Sequence, residues 1–536
     1  MYRYRECVTC CVHPRKLATV QCIACAKLNL SAKDSYHCSP KCLSDSWQNH
    51  VERHHLAAET AANDPANASE QDPIPESCEM WTQIGKSPAT LIGENPEVVE
   101  GEADDRKWVK IGSSKIYEPT RDDFGLCLRL VTLAIDSSSC AYLCATVISV
   151  TKPVINFPAR VHRNMIQLGT TQQISSNDFG FSVLSYNILS DIFTNRGAYG
   201  HCPKWALVWQ YRRKNLLEEI IAYDADILCL QEVQSDHFEN FFQPELAKVG
   251  YSAAFKKKAG EVCVGNDLFA ADGCATFYRH DMFKEIMRDE LEYAKAARPL
   301  VEVLQPEFQD IVARRLNKDN VALVVILESV ERERSENEFP PRICVANTHI
   351  CAGAHTPDVK LLQITKLVDG LERIAEAKVP ILLCGDFNVL PTSNAYAYLS
   401  KGRINPLNTR EPDPLRLLRF LKLTHSLSLA SAYASLAPNT SVEETQLRRM
   451  LDCEPIFTNF TPNFLGTLDY IFYTANCFMV EGLLELLDQE SLGRGLPSPI
   501  WSSDHIAIMA KFRFKLPSSW KESPPHTPSK IWFTEE

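Results

Sequence analysis

A layered domain of α/β or α+β type is what this sequence predicts for residues 178–515, and two observations carry the prediction. Apolar runs of about four to eight residues, the mark of buried strands, alternate with amphipathic helical stretches at 212–223 and 358–376. Six of those runs also end in carboxylate, amide or imidazole groups, which puts polar side chains where strands leave a core. They close on Asn187, on Gln231 and Glu232, on Asn347 and His349, on Asp386 and Asn388, on Asp469, and on Asp504 and His505. Six strand ends converging on one edge would make a site.

Length and composition bound the rest. A chain of 536 residues with 45% hydrophobic content has room for two or three domains with sizeable cores. Its net charge of -11 argues against a general attraction to nucleic acid, so such a substrate needs local basic clusters. Residues 212–214, 256–258 and 314–315 are candidates, each, taken singly, read more readily as a solvated charged face. Twenty cysteines in a large chain that opens without an apolar signal segment point to a reducing compartment. No apolar run reaches the ~18 residues of a membrane span, so a soluble, cytoplasmic protein is expected, with no membrane partner and a nuclear pool left open.

From the N-terminus, residues 1–56 form the first unit. Their cysteines and histidines come in pairs: Cys10 with His13, Cys22 with Cys25, Cys38 with Cys42, and His50 with His54. Eight N/S donors suit two tetrahedral Zn2+ sites, the last pair lying one turn apart on a helix expected over 43–55. Cys7 with Cys10 is an all-thiol alternative to the first pair, and Cys11 competes with Cys10. About fifty residues seldom build a core without a metal or cross-link. The spacing resembles the MYND-type zinc finger, with His13 and His54 standing for cysteines. That resemblance implies interleaving, the first and third pairs on one zinc and the second and fourth on the other.

Residues 57–105, rich in Ala, Glu, Asp, Asn and Pro, read as a flexible acidic linker. Alternating runs at 126–135 and 141–150, with a turn signal at 122–125, predict a small β-rich module over 106–160. Residues 516–536, with four prolines, read as a disordered tail.

The polar set that closes the six runs is poor in thiol and rich in hard oxygen donors, as Mg2+ prefers. Phosphodiester hydrolysis follows, because a cation screens the phosphate while a carboxylate and an imidazole handle water and developing charge. Any one such residue alone is more often a turn or helix cap. Taken together, and above all in the phrases GDFN, LDYIFY and SDH, residues 178–515 resemble the endonuclease/exonuclease/phosphatase superfamily, and within it the poly(A) deadenylases of the carbon catabolite repressor type. The resemblance implies a four-layered α/β sandwich. It implies that Glu232 holds Mg2+ with Asn187 and Asp504, that Asp386 activates or positions water, and that Asn388 and His349 contact the scissile phosphate. Asp469 would orient His505.

The same resemblance implies a 3'-to-5' exoribonuclease that shortens mRNA poly(A) tails and releases AMP. Its partners would be the poly(A) tail, a DEDD-type deadenylase docked by the zinc module, and through it the Not scaffold. A zinc-finger N-terminus in place of a leucine-rich array is similar to the plant members. Phe464, five residues before Asp469, matches the aromatic that stacks on the terminal adenine, with an ordinary core Phe as the alternative. One departure stands out: where the family has a polar and aromatic segment ending in Pro, this chain has the small residues 351–354, and looser base selectivity follows. Two other functions remain open: a phosphatase or phosphodiesterase of the same superfamily acting on small nucleotides, and a zinc-finger adaptor with an inactive nuclease domain.

Overall fold

The computed structural model divides into two compact units, Met1–Phe157 and Pro158–Glu536. In the second unit it describes residues 158, 161–169 and 179–515, apart from 195–196, 266–267, 331–339, 406–410, 437–443, 448 and 452. In the first unit it describes 2–4, 10–13, 20–22, 36–48, 51–52, 54, 81–83, 108–113, 117, 119–132 and 147–157. The tail 516–536 lies outside the described residues.

Fifteen strands of the second unit, numbered in chain order, frame the site. They are β1 (Met165–Gln167), β2 (Gly180–Asn187), β3 (Ile227–Gln234), β4 (Tyr251–Lys257), β5 (Asp272–Arg279), β6 (Phe283–Glu292), β7 (Val321–Ser329) and β8 (Arg342–His349). They continue as β9 (Ile381–Asp386), β10 (Leu429–Ser431), β11 (Asn459–Thr461), β12 (Phe464–Gly466), β13 (Asp469–Thr474), β14 (Phe478–Leu484) and β15 (Ile508–Phe514). One sheet runs β4-β5-β3-β2-β15-β14-β1 and the other β6-β7-β8-β9-β13-β10, while β11 and β12 form a separate hairpin.

The period-2 alternation of side chains on these strands builds the layers. Phe181 and Val183 of β2, Ile227 and Cys229 of β3, Val321, Leu323 and Val325 of β7, Val345 of β8, Leu382 and Cys384 of β9 and Ile471 of β13 share one buried core between the sheets. The intervening residues face outward. Leu184 and Tyr186 pack with Leu216 and Ile220 of helix α1 (Trp209–Tyr223). Cys344, Ala346 and Leu383 pack with Leu361, Ile364 and Leu371 of helix α2 (Pro357–Glu376). Helix, sheet, sheet and helix are the four expected layers, and the helices lie where the sequence placed them. No helix among the described residues is long and apolar enough to cross a membrane.

Two glycines permit close approach of strands. A Cβ on Gly273 would lie 2.2 Å from the Lys256 carbonyl oxygen, and one on Gly385, whose φ is +147°, would lie 1.9 Å from that of Thr348.

In the first unit, strands Val109–Lys110, Tyr2–Tyr4, Cys127–Thr132 and Val147–Val150 form one sheet in that order. The 106–160 stretch is therefore β-structured as expected, but its sheet takes a strand from the N-terminal end. Likewise Trp81–Gln83, inside the stretch read as a linker, pairs with Val20–Cys22, which also pairs with Tyr36–His37. Polar composition hid a short strand that only a long-range partner specifies. The helix expected over 43–55 begins earlier, as Pro40–Asp45, with Ser39 capping it and Pro40 at its first turn.

Gly385→Ala should destabilise the second unit by more than about 3 kcal/mol, because backbone must move to admit the methyl group. Chemical denaturation read by circular dichroism checks this.

Candidate active site

The inner-face rows that are apolar through the middle of the sandwich turn polar at one end. Continuing the row of Phe181 and Val183 by two steps each time gives Ser185 and Asn187. Continuing Cys229 gives Gln231, Val345 gives Asn347 and His349, and Cys384 gives Asp386. Gln231 donates to the Asn347 side-chain oxygen across the sheets at 2.8 Å, closing the core beneath the site. In register, His349 pairs with Asp386 and Asp386 with Asp469, so three site residues form one line across the second sheet.

Glu232 breaks this alternation. It sits at a register shift in β3, between Leu230 and Val233, with φ at +58°. The bulge turns its carboxylate toward the inner face, where Oε1 accepts from Asn187 Nδ2 at 3.2 Å and Oε2 from the Ser190 N–H at 2.9 Å. Asn187 Nδ2 also donates to Asp386 Oδ2 at 3.0 Å, so one amide bridges two carboxylates. Asn388, with φ at +52°, donates its N–H to Asp386 Oδ1 at 2.9 Å. Left-handed backbone at two non-glycine residues is strain concentrated at a site.

A second group hangs from Asp469. Its Oδ2 lies 2.7 Å from His505 Nδ1 and accepts from Thr458 Oγ1 at 2.6 Å. His505 Nε2 then faces Asp386 Oδ2 at 3.7 Å, and His349 Nε2 lies 3.5 Å from the same oxygen. Asp504 is fixed by Tyr199, whose hydroxyl donates to Oδ2 at 2.8 Å. The structure thus brings Asn187, Glu232, His349, Asp386, Asn388, Asp469 and His505 together, with Asp504 beside them.

Burial first, then Asp272 and Asp504, push the Glu232 carboxyl up to about 7. Burial and Asp469 push Asp386 up to about 7. His505 goes the other way: Asp469 and Asp386 outweigh burial and raise it well above the ordinary imidazole value. His349 is held well below that value by burial, Lys258 and His505, so it is neutral and its approach to Asp386 is not an ion pair.

Unneutralised carboxylates converging in a buried site fit a divalent cation, and their oxygens are the hard donors such a cation takes. Asp386, Asp469 and His505 offer ligand atoms within 4.8 Å of one another, but two of these are already committed to each other. Glu232, whose oxygens accept only from uncharged N–H groups, and Asp504 near it are the other carboxylates that could hold a cation. In this structure the Asn187 side-chain oxygen accepts from the Leu189 N–H at 3.0 Å and its amide nitrogen faces the carboxylates. Offering oxygen to a cation requires that amide to turn.

Phe464 is 38% exposed on the hairpin leading to Asp469, its ring packed over Gly466 near Leu390, which is 42% exposed. That excludes the core-Phe alternative and leaves an apolar ledge beside the site. Of the basic clusters, Lys256 pairs with Glu290 and Glu292, Lys257 with Glu261, and Arg315 with Asp358. Arg212 is buried and donates to the carbonyls of Ile188, Leu189 and Ser502. These residues organise the protein rather than a nucleic-acid surface. Lys258 alone reaches the site, bound to Asp272 at 2.6 Å and raising its own pKa through Asp272 and Glu232 against burial. Thr458 and Tyr199 are site residues that no local motif marked; only the position of Asp469 or Asp504 reveals them.

In the first unit Cys10, His13, Cys38 and Cys42 cluster. His13 Nδ1 lies 3.7, 3.5 and 3.4 Å from the three sulfurs in that order, and the Cys10 and Cys42 sulfurs are 3.6 Å apart. A tetrahedral metal at about 2.3 Å from sulfur separates its ligands by ~3.7 Å, so this group has the spacing to hold one. Cys11 instead faces His37 at 3.3 Å, and Cys7 lies outside the described residues. Of the other expected pairs, His54 is buried edge-on to Trp47, while Cys25, His50 and the Cys22 side chain lie outside the described residues.

Two face-packed sheets with a carboxylate, amide and imidazole cluster at one end define a hydrolytic phosphoesterase site. The chain belongs to the endonuclease/exonuclease/phosphatase family, in its carbon catabolite repressor branch, with the family profile matching residues 184–505. It is 43% identical over 530 residues to carbon catabolite repressor protein 4 homolog 1 of Arabidopsis thaliana, covering 94% of this chain and 88% of that protein. It is 33% identical over 348 residues to the CCR4-Not complex 3'-5'-exoribonuclease subunit Ccr4 of Saccharomyces cerevisiae, covering 62% of this chain and 39% of that one. Among solved structures, ANGEL2, a 2',3'-cyclic phosphatase, matches with a TM-score of 0.51 and 29% identity, over 67% of this chain and all of that one.

The charge pattern predicts a pH effect. Glu232, Asp386 and His505 all bind more protons folded than unfolded, so their stabilisation is lost as pH rises; depressed His349 acts oppositely, but below its ordinary value. Between about pH 6.5 and 8 the melting temperature of the metal-free protein should therefore fall, and Mg2+ should flatten the fall. Calorimetry with EDTA and with Mg2+ checks it; parallel curves would contradict the site's electrostatics.

Proposed function

We propose that this protein is a Mg2+-dependent 3'-to-5' exoribonuclease that shortens mRNA poly(A) tails and releases AMP. The observation that carries the reading is Asp386 in reach of Asn187, His349 and His505 at once, beside Glu232, in a chain 43% identical along nearly its whole length to a carbon catabolite repressor homolog. An inactive adaptor gives no reason for two strained residues and a buried charge cluster to persist.

Hydrolysis forms a bond from water oxygen to the terminal phosphorus and breaks its bond to the 3' oxygen of the preceding nucleotide. Asp386, raised toward neutrality, takes the water proton. His505, kept protonated by Asp469, faces the developing phosphoryl charge. His349 contacts the phosphate as a neutral imidazole, and Asn388 contacts it from the loop after β9. Glu232, with Asn187 and Asp504, would hold Mg2+, which would supply charge neutralisation at the phosphate and leaving oxygen. Phe464 offers its exposed face to the terminal adenine.

Zn2+ is the metal proposed for Cys10, His13, Cys38 and Cys42, with a second zinc on Cys22, Cys25, His50 and His54. The yeast relative is named as a subunit of the CCR4-Not complex. By analogy this chain works in such an assembly, its zinc module docking a DEDD-type deadenylase, in the cytoplasm and with a nuclear pool. The likeness to a 2',3'-cyclic phosphatase favours a second reading, opening of a cyclic phosphate at an RNA 3' end.

A gel assay on 5'-labelled RNA bearing a poly(A) tail separates these readings: stepwise shortening with Mg2+, none with EDTA, and AMP as product. Opening of a cyclic phosphate without shortening would establish the second. Glu232→Gln should fold normally and lose most activity. Phe464→Ala should cost about 1 to 3 kcal/mol on poly(A) and less on a minimal phosphodiester; equal losses would remove the stacking role. Elemental analysis of the full chain should find two zincs, reduced by one in Cys38→Ser.

A further inference from the structure

A cleft of about 570 Å³, outside the cluster just described, is lined by Ala198, Gly200, His201, Pro462 and Arg494. That size suits a small-molecule or nucleotide group. Its walls are continuous with the active site. Tyr199, between two lining residues, holds Asp504, and Pro462 lies in the turn of the β11–β12 hairpin, two residues before Phe464.

The polar groups in the cleft lack protein partners. Both ring nitrogens of His201 are shielded from solvent and have no hydrogen-bond partner. Arg494 is exposed, and among the described residues no carboxylate pairs with it, whereas Lys256, Lys257, Lys258 and Arg315 are each neutralised. Its loop is built to sit there: Gly493 and Gly495 flank it at φ of +67° and +135°, and a Cβ on Gly495 would lie 3.0 Å from Pro462 Cδ. The glycines bring the arginine flush against the hairpin that carries Phe464.

We propose that this cleft is a second subsite, taking the phosphodiester backbone of single-stranded RNA just 5' of the bond being cut. Arg494 contacts a phosphate there and His201 supplies a hydrogen bond. In a chain of net charge -11 a free cation beside the site holds the departing strand where the overall field repels it. The proposal rests on the exoribonuclease reading above.

Arg494→Gln removes the charge from an exposed side chain. With a labelled oligoadenylate, KM should rise roughly tenfold and kcat stay unchanged, as for loss of one charged hydrogen bond. The plot of log kcat/KM against log salt should become shallower by about 0.7, one single-strand phosphate contact. The dinucleotide ApA has no further phosphate on its leaving nucleoside, so its hydrolysis should not change. His201→Phe keeps the ring and removes both nitrogens, and should weaken the oligoadenylate by about threefold. Equal KM and slope in Arg494→Gln and unaltered protein would overturn the subsite, as would an equal loss on ApA. Binding of a fluorescent oligoadenylate to Glu232→Gln, with and without Arg494→Gln, needs no turnover. Absent turnover by unaltered protein with a binding difference here would defeat the exoribonuclease reading alone; turnover without that difference would defeat the subsite alone.

Discussion

Glu232 and Asp386 are two carboxyls buried in one site, and Asn187 joins them through a single amide nitrogen. Burial, joined by Asp272 and Asp504 at Glu232 and by Asp469 at Asp386, favours the protonated forms and raises both pKa values. Folding must hold them in place against that tendency. The rest of the second unit can be understood as the scaffold that does so: two sheets bring β2 and β9 face to face, and the bulge in β3 turns Glu232 inward. Each carboxylate then takes a backbone N–H, from Ser190 or Asn388, which stabilises the ionised form. A cation completes the balance.

His505 shows the same logic with opposite sign. Two carboxylates keep its proton, while His349, on the other side of the same Asp386 oxygen, is neutral because burial and two cations oppose its charging. Imidazoles within 4 Å of one oxygen in different charge states give the site an acid and a neutral donor at once. Thr458 secures this division by tying down the Asp469 oxygen that orients His505.

Much of the fold was legible because alternation fixes both layer and face. In β2, β8, β9 and β13 the polar end of each inner row falls at the site: Asp386 two steps past Cys384, Asn187 and His349 four steps past Val183 and Val345, and Asp469 two steps before Ile471. Glu232 breaks that rule, and the family phrase rather than periodicity marked it. What sequence could not supply were contacts made over long separations: Tyr199 on Asp504, 305 residues away, and Lys258 on Asp272. The basic runs read more readily as charged faces than as anion-binding patches, and most of their cations are paired: Lys256 with Glu290 and Glu292, Lys257 with Glu261, Lys258 with Asp272 and Arg315 with Asp358. The strand Trp81–Gln83 escaped because three residues without a neighbour carry no period.

Specificity follows from what lies around the cluster. Ala352, Gly353 and Ala354 are exposed and small, with Thr356 donating to the Gly353 carbonyl to shape the turn. Cys351 is buried, its N–H held by Gln363. Residues 351–354 themselves offer no flat surface for a base, whereas Phe464 and Leu390 are exposed on and beside the hairpin that leads to Asp469. Stacking on one face tolerates any base, since every base has a π-face. A preference for adenine would therefore have to come from stacking strength and from hydrogen bonds to the base edge. The hydrolytic centre and base selection are thus separable here, the first fixed by two rigid sheets and the second by one hairpin and one short loop.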